Sequence, residues 1–420
     1  MFSDSSYPLD GLATDATVLF ATAPSPLMPR VLVGPTKADM SNDEYGKSYN
    51  LLNNLHDDDF TIDTYTRTVS DRLDPENVTV YPLGGSNRIA FYAKLYRTLL
   101  KELRHGPVDI YHHMNLSYRW FNPLLVSGLQ GDIPVVVGPC QAGHAIMAEE
   151  FNRMVSSWVG SDLPRPLTDP LHTAVDATRD AVLDPLRMDL FKRTLDAADR
   201  VVVVHEEARD VYAEFVDESK LRTIPLGVDP DFFEYSEPAD AKEIVAIGSL
   251  RERKGYDVLL DALDRIRKEH PDVHLNVFGD GPLEDELRAR VERLDLEGNV
   301  TFHGYVDQSI VRDHLSRARA FVHPSRSESF SLVRLEAMST GCPVVVTDIS
   351  GAREMVREGK EGFVVPIESP DAIADAVTTL LSDYELTKQI SRQARARVEE
   401  TYDWQKIAEE YLDLYRSLSG

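Results

Sequence analysis

From Glu243 onward, short β-branched runs alternate with helical stretches: EIVAIGSL (243–250), YDVLLDALDRIRKEH, HLNVFGDG, PLEDELRARVERL and NVTFHGYV. ARAFVHPS, SLVRLEAMS, CPVVVTDIS and GFVVPI continue the alternation, and after Pro370 helical patterning runs to the C-terminus. Strand followed by helix, repeated, predicts a parallel sheet covered on both faces. The first half repeats the pattern less regularly, through PRVLVGP (29–35), the helical DEYGKSYNLLNNL, FTIDTYT, VTVYPL, a helix near 86–104, VDIYHHM, IPVVVGP, RVVVVH and LRTIPLG. Periodicity stops in GVDPDFFEYSEPADAK (227–242), where Pro and acidic residues collect. The chain therefore predicts an α/β architecture of two doubly wound, Rossmann-like domains facing across a cleft. The expected divisions are 1–232, a linker at 233–242, 243–400, and a C-terminal helix in 401–420. Segment 145–195 is poorly patterned and reads as an insertion or lid.

Two domains suit 420 residues, of which 42% are hydrophobic and 27% charged. Charge changes the picture more. Asp and Glu outnumber Lys and Arg 70 to 45, giving −25, so nucleic acid is excluded as a partner and membrane contact is at most peripheral. Only 12 of the basic residues are Lys, and the acids are spread along the chain, as suits a salt-rich, halophilic cytosol. Cys140 and Cys342 lie far apart without CxxC spacing, which reads as two core thiols in a reducing compartment. No run approaches a membrane span and the first 15 residues lack a basic n-region, so the expected location is cytoplasmic, with any peripheral contact at the inner membrane face.

In open parallel sheets, ligands sit beyond the carboxyl ends of the strands, which points to the loops ending in Gly34, Gly138, Gly248, Gly279 and Ser325. HPSRSESFSLVRLEAMSTGCPVVVTD (323–348) combines a strand end, a polar loop, a helix and another strand. Glu336 falls four residues after Leu332, so it is either a solvated helix-edge acid or a carboxylate with a partner. Glu328 is either a first-turn acid favourable to the helix dipole or a ligand group. The unpaired amides from Ser329 to Leu332 make a candidate anion site, although Ser329 and Ser331 also fit caps. GSLRERKGYDVLLDA (248–262) gathers Arg251, Arg253 and Lys254, which form either a solvated basic turn or a diphosphate clamp.

Other motifs carry no chemistry. Gly46-Lys47-Ser48 ends like a phosphate-binding loop, but Ser41 replaces the first Gly it needs. Gly279-Asp280-Gly281 is half a dinucleotide fingerprint, with Glu284 in the last place. Asp57-Asp58-Asp59 and Asp229-Pro230-Asp231 do not end apolar strands at the cleft, so no metal is expected. The tandem His112 and His113 read as strand-end packing.

In order and spacing, GSLRERKGYDVLLDA, FGDGPLEDEL (278–287), FHGYV (302–306) and ESFSLVRLEAMSTGCPVVVTD resemble the retaining family 4 glycosyltransferases of the GT-B fold. Glu328 and Glu336 match that family's Glu-x7-Glu signature, and IPLGVDPDFF (224–233) resembles the segment leading out of its first domain. The resemblance implies transfer of a sugar from a nucleoside diphosphate sugar to a hydroxyl of a glycan, a lipid-linked glycan or a small molecule, with retention, without metal and with no cofactor besides the donor. It implies that Lys254 binds the donor diphosphate, Glu336 the ribose hydroxyls and Glu328 the donor sugar. Amides around Phe330, Ser331 and Leu332 would meet phosphate or sugar, with Gly304 and Tyr305 near the base.

The sequence departs from the family where Ser249 follows Gly248 in place of the usual Arg, leaving Arg251 or Arg253 to substitute, and where Ser331 stands for a frequent Gly. On the acceptor side it has only Gly46 in SNDEYGKSYN where the family commonly has Gly-Gly, and His144 in GPCQAGH is the candidate for the family's functional His. Two alternatives keep the fold: a GT-B epimerase or phosphorylase, and a non-catalytic nucleotide-sugar-binding subunit.

Overall fold

The computed structural model of the chain describes residues 28–34, 47–55, 57, 59–67, 78–84, 88–114, 133–141 and 184–419. Gly46, His144 and most of segment 145–195 lie outside the described residues. Seven strands build the first sheet: β1 (Arg30–Val33), β2 (Thr61–Thr66), β3 (Val78–Pro82), β4 (Ile110–His113), β5 (Val135–Cys140), β6 (Arg200–Val203) and β7 (Leu221–Thr223). Six build the second: β8 (Glu243–Ile247), β9 (His274–Phe278), β10 (Val300–Gly304), β11 (Ala320–His323), β12 (Val344–Thr347) and β13 (Gly362–Val365). Their orders are β3-β2-β1-β4-β5-β6-β7 and β10-β9-β8-β11-β12-β13, and all neighbours pair in parallel. Both sheets are thus doubly wound, with the order reversing between β1 and β4 and between β8 and β11. Those reversals open a crevice at the strands' carboxyl ends.

The apolar runs become strands because helices cover both faces, so β5, β11 and β12 are buried along their whole length. Helices follow from stripes and caps. In helix Pro370–Ser382, Ser369 accepts the Ala372 amide, Pro sits at the first turn, and Ile373, Val377, Leu380 and Leu381 turn inward. Cys140 and Cys342 are both buried and not joined in a disulfide, as core thiols should be.

The last helix does more than end the chain. Helix Trp404–Arg416, capped by Asp403, buries Trp404, Ile407, Ala408, Tyr411, Leu412 and Tyr415 at helical spacing. These side chains join Val31, Leu51, Ile110 and Val136 in the core of the first domain. The chain therefore passes between the domains twice, and the passages pair: the Val228 amide donates to the Tyr402 carbonyl at 2.8 Å, and the Trp404 amide to that of Val228 at 3.2 Å. Phe233, five residues on, is buried in the second domain's core. Phe330 and Leu332 pack against cores of both domains, which joins the sheets beside the crevice.

Candidate active site

At the reversal between β8 and β11, two loops meet. The first leaves β8 through Gly248 and turns in a short 3-10 helix, Glu252–Lys254, closed by Gly255 in the left-handed region at φ 66°. A Cβ at Gly255 would lie 2.1 Å from the Pro324 carbonyl oxygen, so only glycine lets this turn seat against the end of β11. That seating drops Lys254 into the site, 8% exposed. Gly248 leaves the space in which the Lys254 stem lies, a Cβ there falling 3.4 Å from Cε.

The second loop runs from β11 to helix Leu332–Ser339 and carries Glu328. Lys254 Nζ donates to Glu328 Oε2, and Arg253 Nη1 reaches the same oxygen at 3.3 Å. The Ser329 amide donates to Glu328 Oε1 at 3.3 Å. Burial alone would push the Glu328 carboxyl up, but the charge and hydrogen bond of Lys254, with Arg253 and the amide, hold it below the usual carboxylate range. Burial outweighs Glu328 at Lys254 and draws its ammonium down. Arg251 is exposed at the start of the turn. The second cation at Glu328 is therefore Arg253 rather than Arg251.

Ser329 links the domains at this point. Its hydroxyl donates to Gln141 Oε1 at 2.9 Å, beyond β5, and its carbonyl is 3.1 Å from His205 Nε2. His205 caps helix Glu206–Ala213 by accepting the Ala208 amide on Nδ1, so Nε2 is the donor to Ser329. Ser331 precedes the next helix without a side-chain cap, and the apolar side chains of Phe330 and Leu332 are occupied in packing. What this segment offers a ligand is backbone.

Two turns on, Glu336 opens into a cavity of about 290 Å³ between the domains, whose walls include Asn50, Asn53, Gln308, Asp403 and Gln405. Gln308 Nε2 donates to Glu336 Oε1 at 3.0 Å. Glu336 is half-buried at the cavity wall, and burial raises its carboxyl to about 7 against the Gln308 hydrogen bond. Gly304 ends β10 at φ 68°, and Tyr305 beside it is 74% exposed.

The structure thus brings together Lys254, Glu328, Gly248 and Ser329, while Glu336 lies eight residues beyond Glu328 on the wall of the interdomain cavity. Sequence reasoning missed Gln141, Gln308 and Arg334. Arg334 carried a signal, a cation set among Leu332, Leu335, Ala337 and Met338.

Residues 228–397 match the family described as glycosyl transferases group 1, and residues 48–232 match Glycosyltransferase Family 4. The chain is built from the two domains of GT-B glycosyltransferases. The chain is 33% identical over 208 residues to a phosphatidyl-myo-inositol mannosyltransferase of Mycobacterium tuberculosis, covering 47% of this chain and 54% of that protein. It thus spans about half the length of that relative. A GDP-mannose-dependent alpha-(1-6)-phosphatidylinositol monomannoside mannosyltransferase of the same species is 29% identical over 288 residues, 62% of this chain and 75% of that one. Among solved structures, sucrose-phosphate synthase from Thermosynechococcus elongatus superposes with a TM-score of 0.66 at 21% identity, covering 93% of this chain and 99% of that one. Anabaena Alr3699/HepE, solved in complex with UDP, gives 0.64 at 17% identity, over 93% and 100%. These two establish the shared GT-B fold. Among the described residues no helix is long and apolar enough to cross a membrane.

Proposed function

We propose that this chain transfers a hexosyl group from a nucleoside diphosphate sugar to an acceptor hydroxyl, with retention and without a metal ion. The observation that carries the reading is the meeting of Lys254, Arg253 and Glu328 at the β8/β11 reversal, beside the amides that open helix Leu332–Ser339. Breaking the bond between the anomeric carbon and the diphosphate places negative charge on the leaving phosphate. Two fixed cations and a helix N-terminus stabilise that charge in a site shielded from water. Glu328, held ionised by those cations, orients the donor sugar, and Glu336 accepts the ribose hydroxyls.

The mannosyltransferase relatives, named for phosphatidylinositol substrates, support a glycolipid or glycan acceptor presented at a membrane surface. The −25 charge favours a salt-rich cytosol as the working compartment.

The test is a transfer assay over a panel of UDP- and GDP-sugars, with and without excess EDTA. Activity that survives chelation and yields product of the donor's anomeric configuration supports the reading. Loss on chelation, restored by magnesium or manganese, overturns its metal-free part, and inverted product overturns retention.

A further inference from the structure

Arg334 lies within helix Leu332–Ser339, 1% exposed, and none of its three guanidinium nitrogens has a hydrogen-bond partner among the described residues. Arginine is almost never buried unless paired, and an uncompensated buried cation is costly. Burial draws its charge down, to about 10, against the attraction of Glu328 and Tyr402. Lys254 and Arg253 approach the same carboxylate from the loop after β8. His323 on β11 is buried with an unpartnered Nδ1, and burial together with Arg334, Lys254 and Arg253 drives it well below its ordinary value, so it stays neutral.

Glu328 holds both Lys254 and Arg253, the cations that a diphosphate needs. A donor must draw Lys254 and Arg253 toward its phosphates, and Glu328 would then be a buried carboxylate stripped of both ion pairs beside an anion. We propose that Arg334 is the reserve counter-ion of Glu328, engaging the carboxylate when a diphosphate takes Lys254 and Arg253. This inference rests on the donor reading above. It assigns Arg334 a positioning role: it touches no substrate and keeps Glu328 charged and in place. An interaction made only in the bound state also favours binding more than one already satisfied beforehand, because the cost of the unpaired charge is relieved on binding.

The test compares wild type, Arg334→Met and Arg334→Lys for melting temperature and for calorimetric affinity toward UDP, GDP and ADP between about pH 3.5 and 8, with the pH profile repeated in a Glu336→Gln background to remove the step assigned to Glu336. Arg334→Met is expected to melt no lower than wild type, since it removes a charge without a partner. It is also expected to bind the preferred diphosphate about tenfold more weakly, with the acid limb of binding moved up by about one pH unit. Arg334→Lys should restore most of the affinity and the wild-type limb. In a Glu328→Gln background, Arg334→Met should no longer move the limb.

Wild-type affinity and pH profile in Arg334→Met overturn the assignment and leave the donor site standing. A lower melting temperature with weaker binding at every pH and an unmoved limb makes Arg334 a purely structural residue and overturns it too. A wild-type chain that binds none of the three diphosphates overturns the donor reading and this inference with it.

Discussion

The two sheets share one winding, yet their reversal points are chemically opposite. Beyond β8 and β11 lie two cations on one carboxylate, with a third, unpaired guanidinium behind them. At the carboxyl end of β4, beside β1, lie His112 and His113, both fully buried. Burial lowers them to about 4 and about 3, and the remaining influences on each are smaller, so both are neutral at pH 7. His112 joins Nδ1 to the Tyr415 hydroxyl at 2.6 Å and Nε2 to the Gly138 carbonyl at 2.9 Å, and stacks on Tyr411. The first reversal point therefore fastens the last helix to the sheet, while the second is kept charged. Topology supplies two equivalent crevices, and what fills them decides which one meets an anion.

The sharpest way to break this comparison is at the charged end. Lys254→Ala removes the buried ammonium that would meet the diphosphate, and kcat/KM should fall by about 1.5–3 kcal/mol, ten- to a hundredfold, for a lost hydrogen bond to a charged group. The loop's seating depends on Gly255 and not on the ammonium, so circular dichroism should stay native. An unchanged kcat/KM would show that the second reversal point is no more a phosphate site than the first.

The neutral end should respond in the opposite sense. His112→Ala leaves the Tyr415 hydroxyl and the Gly138 carbonyl buried without this partner, costing about 1–3 kcal/mol and lowering the melting temperature by several degrees. Nucleoside diphosphate affinity should not change. Because both histidines are depressed in the folded state, the unfolded chain binds more protons between about pH 6.5 and 4, and wild-type stability should fall as pH drops through that window. His112→Phe should flatten part of that slope, as pH-dependent melting curves would show. A diphosphate affinity lost along with stability would mean that the two ends are not separable.

Much of this contrast was legible in the sequence, and the limit has a physical form. The strands were readable because β-branched runs buried on both faces leave a local signature. The tandem histidines could be read as packing because they continue such a run. Lys254, Glu328 and Glu336 were readable because each lies in a motif with fixed spacing. What was hidden depends on distant contacts. Arg253 and Arg251 are interchangeable in sequence, and it takes the folded turn to show that Arg253 reaches Glu328 while Arg251 is exposed. The sequence set 401–420 apart only as a C-terminal helix, yet its apolar stripe is filled by the first domain, with Tyr415 meeting His112 across 303 residues of sequence. Arg334 stands out in the sequence only as a cation among apolar neighbours, and it takes the fold to show that it is buried with no hydrogen-bond partner among the described residues.

The smallest expected effect lies between the two ends, at Glu336 in the interdomain cavity. Burial raises this carboxyl to about 7 from an ordinary 4.5, with the Gln308 hydrogen bond only partly opposing it. Between those values the folded chain holds a proton that the unfolded chain has lost, so the contribution of Glu336 to stability declines as pH rises from about 4.5 to 7 and is lowest above that. Glu336→Gln should remove the decline: its melting temperature should exceed that of wild type at pH 8 and match it at pH 4. Donor binding should run the other way. Only the ionised carboxylate accepts from both ribose hydroxyls without offering a competing proton, so wild-type affinity for a nucleoside diphosphate should weaken as pH falls through about 7. The glutamine variant, which keeps one acceptor oxygen, should bind about 0.5–1.5 kcal/mol more weakly at pH 8 and show no step near 7. Opposite pH trends in stability and affinity, both abolished by one substitution, would mark Glu336 as a carboxylate kept in a costly place for its ligand. Parallel trends, or a glutamine variant with unchanged affinity, would return it to the edge of its helix as a residue of packing alone.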